Sequence, residues 1–151
     1  IGDFGRGKEA TVMQIAGNRV GISICYEMIF PDLIRQAVKN GANFLVNITN
    51  DAWFGKSPAS YQHRSMGALR AVENRVSIVR AANTGISGTI EATGKLRDET
   101  QLFTEEFRVT QITSATGGKT FYSLNGDIFS WVCLLVTVLI AITARRGINE
   151  L

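Results

Sequence analysis

The sequence is poor in the residues that build several common classes of site. It has one histidine, two cysteines and two prolines among 151 residues, and its net charge is only +3. So few thiols and imidazoles cannot supply a typical zinc site or a disulfide framework. The basic residues are scattered and form no patch of the kind that nucleic-acid-binding proteins carry. We therefore predict no metal, no other cofactor and no nucleic-acid partner.

Charge is missing altogether from one long stretch. Residues 128–144 contain no charged side chain, and 14 of these 17 residues are apolar. A helix of this length is about 25 Å long, close to the roughly 30 Å of a bilayer core. Trp131 lies near one end, and Arg145 and Arg146 follow the other, as aromatic and positive anchors do. The pattern predicts a transmembrane helix, and the alternative is a buried core helix.

The apolar run divides the chain into three predicted parts. Residues 1–124 have ordinary soluble composition, residues 125–146 form the membrane helix with its flanks, and residues 147–151 form a short tail. The two arginines predict that the tail is cytoplasmic and that the globular part lies on the opposite side of the membrane.

The globular part alternates strand-like and helix-like patterns. Residues 19–25 and 44–48 are β-rich, and between them Pro31 begins a helical apolar stripe that stops at Gly41. A strand, a helix and a strand with short connections form a right-handed unit with a parallel strand pair. Further on we predict a helix and then strands, the last over residues 107–112. The fold class predicted is α/β.

Cys25 stands where such folds collect functional groups, at the carboxyl end of a central strand. A helix follows closely, and its N-terminus favours the thiolate form of a nearby thiol. Glu27 shares a face with Cys25 if the backbone stays extended, although a carboxylate alone raises the pKa of a thiol. A free cysteine is also often just a small buried hydrophobe, so both interpretations stay open at this point.

Four motifs in order carry a family resemblance. They are GISICYE at residues 21–27 followed by Phe30 and Pro31, NDAWFG at 50–55, QH at 62–63 with RAVEN at 70–74, and RAANTG at 80–85. The first resembles the nucleophile segment of the nitrilase superfamily. Together with the apolar helix they resemble its membrane branch, the apolipoprotein N-acyltransferase family. The resemblance implies the C-terminal portion of a nitrilase-like α-β-β-α sandwich followed by one transmembrane helix.

The resemblance also implies a reaction and roles for residues. In the family a Cys thiolate takes an acyl chain from a phospholipid as a thioester, and the amino group of a diacylglyceryl-cysteine on an apolipoprotein then accepts it. Cys25 is by this match the nucleophile, the backbone N–H of Tyr26 an oxyanion donor, and Glu27 a supporting carboxylate. The loop with Asn50, Trp53 and Phe54 would border the substrate cavity, or its aromatics are ordinary core residues.

Two further residues invite a catalytic interpretation that we do not favour. His63 lies 38 residues after Cys25, but the family uses no catalytic histidine, so we expect a capping or packing role. Glu73 we expect to be a buried structural carboxylate.

The general-base Glu and the Lys of the family have no match here. Lys8 and Glu9 fit neither motif, so we expect a C-terminal fragment of a bacterial inner-membrane enzyme, inactive alone, whose catalytic part faces the periplasm. Phospholipid, apolipoprotein and membrane are the expected partners. The alternatives are a nitrilase-type amidase that hydrolyses C–N bonds and a non-catalytic, membrane-tethered half-fold.

Overall fold

The computed structural model describes residue 7 and residues 9–149, and it places one mixed sheet at the centre of the globular part. The six strands lie in chain order: β1 (Val12–Ile15), β2 (Asn18–Ile24), β3 (Phe44–Asn50), β4 (Ser77–Asn83), β5 (Gly88–Ile90) and β6 (Leu96–Arg97). β2, β3 and β4 are parallel, and the other neighbours pair antiparallel. The predicted parallel pair of strands is therefore confirmed.

The helices are α1 (Pro31–Lys39), α2 (Ala59–Asn74), α3 (Phe121–Asn125) and α4 (Ile128–Asn149), and 3₁₀ turns span Cys25–Ile29 and Ala52–Phe54. Pro31 opens α1 as the first helical residue, a position where its missing N–H costs nothing. Apolar residues of α1 and α2 pack on one face of the sheet in a single core cluster that includes Ile34, Leu45, Ala71 and Ile78.

Close packing of α1 on the sheet depends on a small residue in β2. A Cβ atom added at Gly21 would lie 2.6 Å from the Leu45 side chain and 3.0 Å from that of Ala37. Small and large residues alternate along β2, and the small residue Gly21 on the face toward α1 allows the helix to pack closely on the sheet.

The opposite face of the sheet carries exposed aliphatic side chains. Ile22, Ile24 and Ile48 are 41%, 59% and 45% exposed, and Met13 and Ile15 continue the surface on β1. An apolar face of this kind is what one half of a two-sheet sandwich presents before its other half packs on it.

The prediction of a strand over residues 107–112 is wrong, because this segment has no regular secondary structure. Phe107 and Val109 are 90% and 92% exposed. Phe107 and Val109 alternate with polar residues as in a strand, but no neighbouring strand of the sheet pairs with this segment within the described residues.

The apolar run forms α4, and its segment Ile128–Arg145 is long and apolar enough to cross a membrane. None of that segment is buried inside the chain. The alternative of a buried core helix is therefore not what the structure shows.

Candidate functional site

Cys25 occupies a strained turn at the carboxyl end of β2. The strand ends at Ile24, and Cys25 begins the 3₁₀ turn with φ of +52°. A non-glycine residue pays about 1–2 kcal/mol for this left-handed conformation. Such strain persists only where the surroundings hold the residue in place, and it is common at functional sites.

Glu27 does not share a strand face with Cys25, since the backbone is not extended there. Its Oε2 accepts the Ile24 N–H at 2.7 Å, so the exposed carboxylate bonds back onto the end of β2. This bond closes the first turn of the segment Cys25–Ile29, so the chain leaves the extended conformation directly after Ile24. Glu27 thus fixes the strand end from which Cys25 projects.

The Cys25 carbonyl is held by two side chains from different elements. Asn47 Nδ2 of β3 donates to it at 3.2 Å, and His63 Nε2 of α2 lies 3.3 Å from it. Asn47 Nδ2 also lies 3.3 Å from the carbonyl oxygen of Ser23. The sheet and the helix therefore both constrain the turn at Cys25.

Behind these donors lies a buried ion pair. Arg80 Nη2 and Asp51 Oδ2 are 2.7 Å apart, with side-chain exposures of 3% and 1%. Arg80 also donates to Asn47 Oδ1 at 2.8 Å and to the Ile86 carbonyl at 3.1 Å. His63 Nδ1 lies 3.1 Å from both Asp51 Oδ1 and Arg80 Nη2. We name Asn47, Asp51, His63 and Arg80 the buried polar network.

Burial lowers the pKa of His63, and the positive charge of Arg80 lowers it further, whereas the Asp51 carboxylate opposes both effects. His63 is therefore neutral at neutral pH. The Cys25 carbonyl and the Asp51 carboxylate both only accept, but a proton on Nε2 serves the carbonyl and also leaves Nδ1 free to accept from Arg80, so the neutral ring carries its proton on Nε2. Burial also lowers the pKa of Arg80, against the attraction of Asp51, yet a guanidinium keeps its charge in a protein.

The loop after β3 carries the three residues expected at the substrate. Trp53 is 88% exposed, so it is not a core aromatic. The Phe54 ring packs edge-on against the His63 ring with 5.9 Å between centroids. Asn50 Oδ1 accepts from the Ala52 N–H at 3.1 Å and so shapes the loop itself.

Glu73 lies away from Cys25, beside Arg70. The two side chains are 2.9 Å apart, and burial raises the pKa of Glu73 while Arg70 opposes the shift. Arg70 also donates to the Ile29 carbonyl, at the end of the 3₁₀ turn that Cys25 begins. The arrangement fits the structural carboxylate that the sequence predicts.

The sequence missed the buried polar network. His63 does pack in the core, but its contacts with Asp51, Arg80 and the Cys25 carbonyl were not foreseen. One signal was available: Asn47 and Arg80 are polar residues at inward positions of apolar strands, and the register pairs them directly. Of the two upstream candidates, Lys8 lies outside the described residues and Glu9 is exposed. Among the described residues, no three potential ligands gather for a metal ion.

Fold and site together define a cysteine-bearing α/β domain of the nitrilase type, and comparison with known proteins gives the family. Residues 3–122 match the carbon-nitrogen hydrolase family. This chain belongs to that family, and the resemblance found in the motifs is confirmed.

Among curated proteins, the chain is similar to the apolipoprotein N-acyltransferase of Geobacter metallireducens, with 47% identity over 97% of this chain and 28% of that protein. A carbon-nitrogen hydrolase from Helicobacter pylori has a similar fold, with a TM-score of 0.59 and 13% identity over 66% of this chain and 42% of that one. So does an amidase from Nesterenkonia sp. AN1 that carries a covalent adduct on its active-site cysteine, with a TM-score of 0.54 and 20% identity over 64% of this chain and 39% of that one. The chain spans about a quarter of the length of the curated relatives it matches.

Proposed function

We propose that a protein containing this segment transfers a fatty acyl chain from a phospholipid to the amino-terminal diacylglyceryl-cysteine of apolipoproteins, with Cys25 as the nucleophile. The observation that carries the proposal is the 47% identity to an apolipoprotein N-acyltransferase over nearly the whole chain. The strained turn at Cys25 supports it, because the turn sets a thiol at the edge where α/β sheets place reacting groups.

The reaction would proceed in two halves. The Cys25 thiolate attacks the ester carbonyl, an S–C bond forms, the ester C–O bond breaks, and the lysophospholipid leaves with a proton. The lipoprotein amine then attacks the thioester, an amide bond forms, the acyl C–S bond breaks, and the proton lost by the amine passes to the departing Cys25 thiolate. The Tyr26 N–H is proposed to donate to the oxyanion in both halves.

Glu27 is proposed to hold the turn through its bond to Ile24. The general base and the Lys of the family are proposed to come from a part of the protein outside this segment. Asn50 would shape the loop, and Trp53 and Phe54 would border the substrate, since an exposed indole suits contact with lipid.

The membrane placement is part of the same proposal. Residues 125–146 would cross the bacterial inner membrane after the domain of residues 1–124, with residues 147–151 in the cytoplasm. Arg145 and Arg146 at one end support this orientation, which leaves Cys25 on the periplasmic face. Phospholipid and lipoprotein substrates would both reach Cys25 from the membrane surface.

The test compares two cysteines in the complete protein. Purified in detergent and incubated with phosphatidylethanolamine labelled in its acyl chain, the unaltered protein should acquire a hydroxylamine-sensitive label. Cys25→Ala should lower labelling about a thousandfold or more, as loss of a nucleophile does. Cys133→Ser should label normally, because Cys133 lies on α4, away from the turn.

Label retained in Cys25→Ala would place the nucleophile elsewhere. No label in the unaltered protein, with ammonia released from simple amides, would favour the amidase alternative. Neither label nor amide hydrolysis would favour the non-catalytic half-fold.

A further inference from the structure

The backbone at Cys25 links the buried polar network to the reaction. The Cys25 carbonyl and the Tyr26 N–H belong to one peptide group, which is planar and trans. The two therefore point in opposite directions, and whatever holds the carbonyl also aims the N–H. Two side chains, Asn47 and His63, hold that carbonyl at 3.2 and 3.3 Å.

The contacts of His63 suit holding rather than proton transfer. Nε2 faces the Cys25 carbonyl, while Nδ1 faces Asp51 and Arg80 at 3.1 Å. Both ring nitrogens are thus engaged, and neither is available to accept the thiol proton in this arrangement. The Tyr26 and Phe54 rings pack on the imidazole at 5.7 and 5.9 Å between centroids and limit its rotation.

The charges around the ring fix its tautomer. A proton on Nδ1 would serve Asp51 Oδ1 but would face the Arg80 N–H and leave Nε2 without one for the carbonyl, whereas a proton on Nε2 serves the carbonyl and lets Nδ1 accept from Arg80. The ion pair with Asp51 keeps Arg80 in place. Asp51 in turn accepts from the Thr49 hydroxyl at 3.1 Å. The network therefore presents one N–H, on Nε2, to the Cys25 carbonyl.

We propose that His63 is a positioning residue: by donating Nε2–H to the Cys25 carbonyl, it holds Cys25 in the left-handed conformation and directs the Tyr26 N–H at the oxyanion of the acyl-transfer step. The inference rests on the proposed function, because it needs an acyl group on Cys25. It assigns His63 no proton transfer. The bonds and protons exchanged in the two half-reactions are therefore the same with or without this role of His63.

The experiment uses three variants of the complete protein. His63→Leu removes the donor, and His63→Gln restores an amide N–H that can reach the same carbonyl. Asn74→Leu is the matched control: Asn74 is also a buried polar residue of α2, 2% exposed, and within the part of the chain that the structure describes its side chain bonds to its own helix, at the Arg70 carbonyl. Should His63→Leu not fold, His63→Phe keeps the ring and lacks the donor equally.

Two rates are measured on Cys25 for each variant. The first is thioester formation with phosphatidylethanolamine, resolved into kcat and KM across pH. The second is alkylation by iodoacetamide, which displaces iodide from a saturated carbon and forms no oxyanion. Thioester formation thus depends on the Tyr26 N–H, and alkylation does not.

We expect His63→Leu to lower kcat for thioester formation about 10- to 100-fold, less than the roughly 100- to 1,000-fold that follows complete loss of an oxyanion donor, because the Tyr26 N–H is misdirected but still present. KM and alkylation should stay within about threefold. The pH at half-maximal rate should not move, and His63→Gln should recover kcat to within about threefold. Asn74→Leu should leave both rates of the folded protein unchanged.

Several results would overturn the inference. An equal fall in the rates of thioester formation and alkylation would mean that His63 only stabilises the fold or maintains the reactivity of the Cys25 thiol. A shifted pH profile without rescue by Gln would make His63 an acid or base. An unchanged kcat in His63→Leu would remove the role altogether. Failure of the proposed function is distinct, because then the unaltered protein forms no thioester at all.

Discussion

The buried ion pair between Arg80 and Asp51 allows a quantitative test of the network. Replacing Arg80 by Met keeps much of the side-chain volume but leaves the Asp51 carboxylate, 1% exposed, without its cation. Breaking a buried pair from one side typically costs about 3–5 kcal/mol. The variant also leaves Asn47 Oδ1 and the Ile86 carbonyl without their donor, so the upper part of that range is expected.

The assay is thermal unfolding of the complete protein in detergent, for both single variants and the double variant. A loss of this size should lower the apparent Tm by about 6 °C or more. Asp51→Asn should cost a comparable amount, because it strands the guanidinium. The double variant Arg80→Met, Asp51→Asn should be about as stable as either single one, since no unpaired charge remains. Additive losses, or a loss under about 1 kcal/mol in Arg80→Met, would refute the interpretation.

A pH series sharpens this test through His63. In the unaltered protein the folded-state pKa of His63 lies below 6.5, so stability is lost as the pH falls below that value. Arg80→Met removes one cause of the lowering and leaves Asp51 to raise the pKa. Burial, the largest cause of the lowering, remains in the variant, but the pKa of His63 there lies higher than in the unaltered protein, so the variant loses less stability as the pH falls. The deficit of Arg80→Met should therefore shrink from about pH 8 to about pH 5.5.

Two further predictions concern close packing and the apolar helix. A Cβ added at Gly85 would lie 2.5 Å from Asp51 Oδ2, whereas one at Gly117 would meet nothing within 4 Å. Gly85→Ala should therefore lower the Tm and slow Cys25 acylation, while Gly117→Ala should change neither, and equal effects would contradict the packing at Asp51. The segment Ile128–Arg145 should keep the protein in the membrane through alkaline carbonate extraction. When residues 125–151 are fused to a soluble reporter, the fusion should also stay in the membrane, and Leu135→Arg with Leu139→Arg should release it. Equal extraction of the fusion with and without the two arginines would contradict insertion.

The parts of the fold that the sequence predicted are those in which apolar residues repeat at the spacing of a strand or a helix. Alternation along residues 20–24 and the apolar stripe of α1 located a parallel unit that the strand register confirms. The same rule failed at residues 107–112. A strand needs a neighbour on the sheet as well as an alternating pattern, and no local signal shows whether a neighbour is there.

The site was predicted only as far as its motif reached. The place of Cys25 after a strand identified it as a candidate. Its left-handed turn, however, depends on the bond between Glu27 and the Ile24 N–H and on the contacts of its own carbonyl with Asn47 and His63. The last two partners lie 22 and 38 residues away in sequence. Polar groups brought together over such separations follow from the packing of α2 on the sheet, which composition and period do not specify.

The uncovered sheet face explains why these experiments call for the complete protein. Burying the half-exposed side chains of Ile22, Ile24 and Ile48 would contribute about 2–4 kcal/mol, a large share of the roughly 5–15 kcal/mol that stabilises a domain. Ile24 lies directly before Cys25, so a layer that covers this face also approaches the thiol. Under the proposed function the general base comes from outside this segment, and a layer that both covered this face and carried the base would couple stability to reactivity. Because stability and reactivity then share a source, a loss of acylation counts as a loss of chemistry only where the folded fraction is measured beside it.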